Sequence, residues 1–291
     1  MLTAAARPAD DPVLLLRAAA LAAEYDAVLA PATAARLVAH LPDLPDPWPA
    51  AARQWLVRLL ASGRGLLGVW ETLEETGALV RILPEWERIR LLPHASVIHR
   101  FTVDRHVVET CIEAGALIRD VDRPDVLLIA ALLHDIGKGG LTEHSVAGEP
   151  LARAIATRMG LDDHGADLVV TLVRRHLLLA ETATTYDPAD PATARLVADR
   201  VGSAEGLGLL LALTEADARA TSPKAWTAWR AGLVRELARR TAALYDDPGR
   251  PAMSEAEIGV PEEACRAGVL ADHRAAVAAH AIGNALSPHS R

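Results

Sequence analysis

The sequence predicts an all-α fold, and three observations carry that prediction. Half the residues are hydrophobic, yet the chain has one Phe (Phe101) and three Tyr, so its core must be built from Leu, Ala and Val. Leu and Ala lose little side-chain freedom in a helix and are strong helix formers. Apolar residues also recur at helical spacing, as in Trp55, Leu56, Leu59 and Leu60, then Leu67, Val69, Trp70 and Leu73. No segment reads as a convincing strand or an internal repeat.

The elements follow in chain order. A loose start leads into short Ala/Leu-rich helices, broken by the Pro-rich stretch 42–49. Helical spacing then runs from Ala50 to Leu83, and Pro84 and Pro93 bracket a short segment with Trp86. Thr102 or Asp104 can cap a helix to about Arg119. Pro124 sits in the first turn of a helix that is apolar nearly all round (Val126–Leu133), which predicts a central, buried position. Gly137, Gly139 and Gly140 stop it. Further helices are expected at about 143–159, 163–177, 191–201 and 204–220, with Pro150 kinking the first of these or delaying its start. Ser222-Pro223 reads as a cap and first turn for a long helix to Tyr245. Residues 1–92 thus form a helical leading segment, 93–246 the main helical domain, and 247–291 a tail without an assigned role.

The formal net charge is −8, with no long basic run. That argues against nucleic acid as a partner, since tracking its backbone needs Lys and Arg gathered on one face. Cys111 and Cys265 form no disulfide or metal pattern, which fits a reduced, cytoplasmic setting. Acidic residues at Asp10 and Asp11 argue against a signal peptide. Apolar runs such as Val126–Leu133 are too short to span a bilayer, so no membrane partner is expected.

Chemistry is carried by unevenly placed histidines. His106 falls in the first turns of one helix, His134-Asp135 closes the buried one, His144 opens the next, His176 closes another, and Asp217 lies inside a later one. Burying the adjacent His134 and Asp135 is costly unless a metal or hydrogen bonds satisfy them. Imidazole and carboxylate ligands suit divalent ions: Mn2+, Fe or Zn and, less well, Mg2+. The two oxygens of Asp135 can bridge a pair of ions, which would clamp a phosphate and lower the pKa of a shared water. An acidic protein can then still attract an anionic substrate, because bound ions invert the local field.

The order His106…His134-Asp135…Asp217 resembles the HD phosphohydrolase signature. His144 and His176 extend it to the pattern of the two-metal members. Around these residues, the stretches 99–106, 132–138, 143–145, 173–178 and 216–221, with Trp226 and Trp229 after them, resemble the HD domain of bifunctional PII uridylyltransferase/uridylyl-removing enzymes. The likeness extends upstream through Arg64-Gly65, Val80 and Leu83-Pro84-Glu85 and covers roughly residues 11–246. It implies an HD-domain helical bundle preceded by a helical linker. It also implies metal ligands at His106, His134, Asp135, His144, His176 and Asp217, and hydrolysis of a nucleotidyl–tyrosine phosphodiester on the signalling protein PII, releasing UMP or AMP. The family's nucleotidyltransferase half, with its Gly-Ser turn and paired Asp, and its small-molecule-sensing domains have no counterpart here, so the transferase half-reaction is expected to be absent. Arg175 stands where the family often has a second His.

Lys138 can hold a substrate phosphate or be a solvated helix-end Lys, and it joins Asp135 and His99 in the expected catalytic set. Arg219 can contact phosphate or form a surface ion pair. Asp104 can line the pocket. Trp226 and Trp229 read as core, and His40, His94, His164, His273, His280 and His289 as structural. Two alternatives share the metal set or the fold: a general small-nucleotide HD phosphohydrolase, and a regulatory HD module that binds without turnover.

Overall fold

The structure, a computed structural model, describes residues 7–94 and 100–246. Among these the secondary structure is helical, with no strand, as the Leu/Ala-rich composition requires. Five helices form the leading part: α1 (Leu14–Glu24), α2 (Pro31–His40), α3 (Ala50–Leu60), α4 (Leu66–Glu75) and α5 (Ala78–Ile82), followed by a 3₁₀ turn at Pro84–Arg88. The remainder comprises α6 (Val103–Gly115), α7 (Pro124–Leu133), α8 (His144–Arg158), α9 (Asp163–Arg175), α10 (Leu178–Thr185), α11 (Pro191–Val201), α12 (Ala204–Thr221) and α13 (Ala228–Tyr245).

Helix α7 is the axis. Every side chain from Val126 to Leu133 is buried, which accounts for a helix that is apolar on all faces. It packs against α3, α6, α9 and α12, so elements from both halves of the chain surround it. Most buried apolar side chains between Val13 and Leu237 accordingly form one contiguous cluster. Polar stitches reinforce this join. The Trp48 amide donates to the Arg158 carbonyl at 2.8 Å, and the Arg158 guanidinium grips both oxygens of Glu85 at 2.7 and 2.8 Å. That bidentate pair fixes the 3₁₀ turn against the end of α8.

Several boundaries differ from the sequence expectation. Helix α6 ends at Gly115 rather than near Arg119, the chain continuing in turns. Pro150 neither delays nor interrupts α8, which begins at His144 and runs through it. Ser222-Pro223 does not start the last long helix. Ser222 is instead the C-cap of α12, and α13 begins at Ala228 with the Thr227 hydroxyl accepting from the Arg230 amide. The physical reason is that Thr227 is itself a competent N-cap, and residues 223–225 are spent in a turn. No helix among the described residues is long and apolar enough to cross a membrane.

Candidate metal centre

Three helix termini and two helix faces supply the polar side chains at the centre of the molecule. His134 is the C-cap of α7 and His176 the C-cap of α9. In both, the ring turns back on its own helix. Nδ1 of His134 lies 2.8 Å from the Ala131 carbonyl, and Nδ1 of His176 lies 2.8 Å from the Val173 carbonyl. Each ring thereby satisfies one of the carbonyls that a helix end leaves without an intrahelical partner. A carbonyl only accepts, so Nδ1 carries the proton and Nε2 presents its lone pair inward.

His144 opens α8 immediately after Glu143, the N-cap. Its Nδ1 lies 3.1 Å from Oε1 of Glu143. The Glu143 carboxyl sits below the usual range: burial works against this, but donors from Ser145 and the charge of His144 outweigh it. Its negative charge beside Nδ1 favours the proton on that nitrogen, the tautomer in which Nε2 of His144 would turn a lone pair to the centre. The approach of α8 to the end of α7 depends on Gly137, where a Cβ would collide with the His144 carbonyl and the Gly148 amide nitrogen. His106 and Asp217 project from the faces of α6 and α12, two helices packed along each other, and meet with Nε2 and Oδ1 2.9 Å apart.

The inward atoms form two groups that share Asp135. In the first are His106, His134 and Asp135; in the second are Asp135, His144 and His176, with the ligand atoms of each group within 4.8 Å of one another. Nε2 of His134 lies 3.3 Å from Nε2 of His106 and 3.8 Å from Oδ1 of Asp217. Nε2 of His144 lies 3.2 Å from Nε2 of His176, and these two are 3.6 and 3.9 Å from Oδ1 of Asp135. With both rings protonated on Nδ1, two lone pairs face each other and a carboxylate oxygen. That donor set fits a divalent cation: it is imidazole and carboxylate, and the bonds of His134 and His176 to their own helices fix the ligating tautomer of those two rings.

The electrostatics agree. Burial and the neighbouring imidazoles push His176 down to about 4, so it stays neutral near pH 7. Burial likewise lowers His144, against the pull of Asp135. Burial alone would raise both carboxyls, but Asp135 is held well below the usual range by the Lys138 ammonium and the surrounding histidines, and Asp217 by its bond from His106. Asp135, His134, His106 and His176 are each no more than 2 % exposed, whereas the side chains of His144 and Lys138 are each 22 % exposed. Asp217 shares this exposed edge, with 18 % of its side chain accessible.

The other expected site residues are placed as follows. Lys138 is not a freely solvated helix-end side chain: its Nζ lies 2.7 Å from Oδ2 of Asp135. Arg219 is paired with Glu215 and lies 3.8 Å from Glu113, which is the ion-pair alternative. Asp104 is 5 % exposed and accepts from the Leu91 and Arg105 amides, a structural duty at the start of α6. Trp226 packs partly against the core, but Trp229 does not: it is 66 % exposed. His99 lies outside the described residues. Two residues at the centre escape sequence reasoning. His94, read as structural, accepts from Lys138 at 3.4 Å and stands edge-to-face with His106, ring centroids 5.3 Å apart. Its place in an irregular stretch after Pro93 gives no periodic signal. Glu143 was available as an acid directly preceding a candidate ligand at a helix start.

Comparison with known proteins finds relatives for this part of the chain. Residues 103–218 match the family model described as HD domain, a span that contains all six converging residues. The chain is 51% identical over 261 residues to a bifunctional uridylyltransferase/uridylyl-removing enzyme of Streptomyces coelicolor, covering 90% of this chain and 31% of the relative. It is 47% identical over 236 residues to the protein of that name from Mycobacterium tuberculosis, covering 81% and 29%. With the one from Corynebacterium glutamicum it shares 36% identity over 257 residues, covering 87% and 37%. The chain thus spans about a third of the length of these relatives.

Proposed function

We propose, from the match of residues 103–218 to the HD domain family model, that the protein is a metal-dependent phosphodiesterase that removes a nucleotidyl group, UMP or AMP, from the tyrosine of a PII signalling protein. The observation that carries the reading is the convergence of four imidazole nitrogens on the carboxylates of Asp135 and Asp217, with the rings of His134 and His176 held in the ligating tautomer by their far-side bonds. The substrate rests on the relatives, whose names describe uridylyl removal.

His106, His134, Asp135 and Asp217 would hold one cation, and Asp135, His144 and His176 a second. When bound, such cations supply positive charge against phosphate oxygens and acidify water. The residues of the chain do the rest. Asp135 faces both halves of the centre with different oxygens, and its charge survives burial because Lys138 and the histidines oppose its desolvation. His134 and His176 keep their Nε2 atoms unprotonated and aimed inward at no cost in reorganisation, since the helix ends fix them. Lys138, on the accessible side, is the cation placed to meet a phosphate oxygen of the incoming diester. The buried flank of His106, His134 and His176 excludes bulk water, which strengthens each of these charge interactions.

The test is direct. Incubated with nucleotidylated PII and Mn2+ or Mg2+, the chain should return PII to its unmodified intact mass with release of the nucleotide. PII of unchanged mass, in a preparation that hydrolyses bis(p-nitrophenyl) phosphate or free nucleotides, would instead identify a small-nucleotide phosphohydrolase.

A further inference from the structure

We infer that Glu143 is a positioning residue that sets the tautomer and aim of His144 and thereby fixes the affinity of the second cation position. This rests on the paired-cation reading above. The Glu143 carboxylate makes four contacts with both of its oxygens. Oε1 accepts from the Ser145 amide at 2.9 Å and lies 3.1 Å from Nδ1 of His144. Oε2 accepts from the Ser145 hydroxyl at 2.6 Å and the Val146 amide at 3.1 Å.

Three of those contacts are an ordinary helix start, with orphan amides of the first turn satisfied by a side-chain oxygen. That duty alone is met best by Asn, Asp or Ser. The fourth contact is different in kind. It sets a carboxylate oxygen 3.1 Å from the far nitrogen of a candidate ligand, where its negative charge favours the proton on that nitrogen, the outer-shell influence that orients a ligating ring and raises its basicity. Among the three ligand histidines whose Nδ1 contacts are known, His134 and His176 are fixed by carbonyls of their own helices, whereas His144 stands at a helix start, where no preceding helical carbonyl is available. Its ring is therefore oriented from outside, and Glu143 is the group that does so. Arg174 braces the carboxylate in turn: its guanidinium donates to the Ser145 hydroxyl at 3.0 Å and lies 3.9 Å from Oε2 of Glu143. His144 is also the most exposed ligand of the set, so it has the most freedom to lose when the brace is removed.

The experiment separates capping from aiming. Glu143→Ser keeps an N-cap oxygen but cannot reach Nδ1 of His144; Glu143→Gln keeps length and loses charge; Glu143→Asp keeps charge. In the metal-free protein, long-range 1H–15N correlation of the His144 ring should show the Nδ1-protonated form in the wild type and its loss in E143S. Calorimetric titration with Mn2+ should then show two ions in the wild type. In E143S and E143Q the weaker site should lose about ten- to a hundredfold in affinity, the tighter site should change by less than about threefold, and E143D should recover much of the difference. Wild-type tautomer and two wild-type affinities in both E143S and E143Q would overturn the inference. A wild type that takes up a single Mn2+ while E143S still loses the Nδ1-protonated form would overturn the paired-cation reading and leave the aiming of His144 standing.

Discussion

Asp135→Asn removes the one residue common to both halves of the centre while conserving its volume. In the metal-free protein two changes oppose each other. A carboxylate 2 % exposed no longer has to be desolvated, and Lys138 loses its partner at 2.7 Å. Lys138 is about a fifth exposed and can turn to water, so it does not become the trapped, unpaired charge that makes broken buried pairs so damaging. The net change should stay within about 2 kcal/mol, with the helical circular-dichroism signal intact. With metal the two proteins should part. A cation at a hundred times its dissociation constant stabilises the form that binds it by about 2.7 kcal/mol. In a body of this size that is about 5–10 °C in melting temperature. The wild type should therefore show that rise on adding Mn2+ and lose it with a chelator; D135N should show neither, and its hydrolysis of a nucleotidylated substrate should fall about a hundred- to a thousandfold, the scale of losing a principal charge-stabilising group. A D135N protein that melts higher with Mn2+ by the wild-type amount, or that retains substantial turnover, would refute the placement of Asp135 at the centre.

Three further outcomes follow from the geometry. Gly137→Ala places a Cβ into backbone atoms of α8, so it should destabilise the fold by about 1–3 kcal/mol or more and weaken Mn2+ uptake, both read by thermal melts with and without metal. Glu85→Ala should cost about 1–3 kcal/mol through the lost bidentate grip on Arg158, measured by urea unfolding; because pairing with Arg158 lowers the Glu85 carboxyl against the effect of burial, its contribution is present above the unfolded value and lost as pH falls through the folded one, so the mutant and wild type should converge in acid. Glu181 is the opposite case: burial and the charge of Glu143 raise it from 4.5 to about 7, so the folded state holds a proton that the unfolded state releases, and its penalty grows between those two values. Glu181→Gln should thus raise the melting temperature at pH 8 and leave it nearly unchanged at pH 4, and equal gains at both would contradict the buried-acid assignment.

Much of the centre was legible in sequence because its residues sit where local signals are strong. His134-Asp135 follows eight apolar residues, and a helix apolar on every face can only be central, so whatever polar pair closes it must lie in the interior. The breadth of the apolar clustering also made the fold class plain. The junction of α12 and α13 was not legible, because Ser222-Pro223 and Thr227 are both valid helix-start signals and only packing chooses between them. Gly137 reads as a helix stop, but its stricter duty is to admit the backbone of α8, a long-range contact that no local pattern contains. His94 was missed for the same reason: it reaches Lys138 across 44 positions of chain.

The helix ends carry a lesson about why histidine stands at positions 134 and 176. A helix terminus that needs only a polar stop is served by Gly or by a cation near its last carbonyls. The rings of His134 and His176 instead perform both duties at once, each donating Nδ1–H to the carbonyl three residues earlier and leaving Nε2 free. Gly would end the helix without supplying a ligand, and Lys would supply a charge that repels a cation. The same local device, repeated at the ends of α7 and α9, brings two pre-oriented lone pairs to opposite sides of Asp135. Where no helix end is available, at His144, a carboxylate from the neighbouring residue takes the carbonyl's place. The arrangement of the centre therefore follows from a requirement more specific than proximity: each of these three rings must have its far nitrogen committed before its near nitrogen can serve a metal.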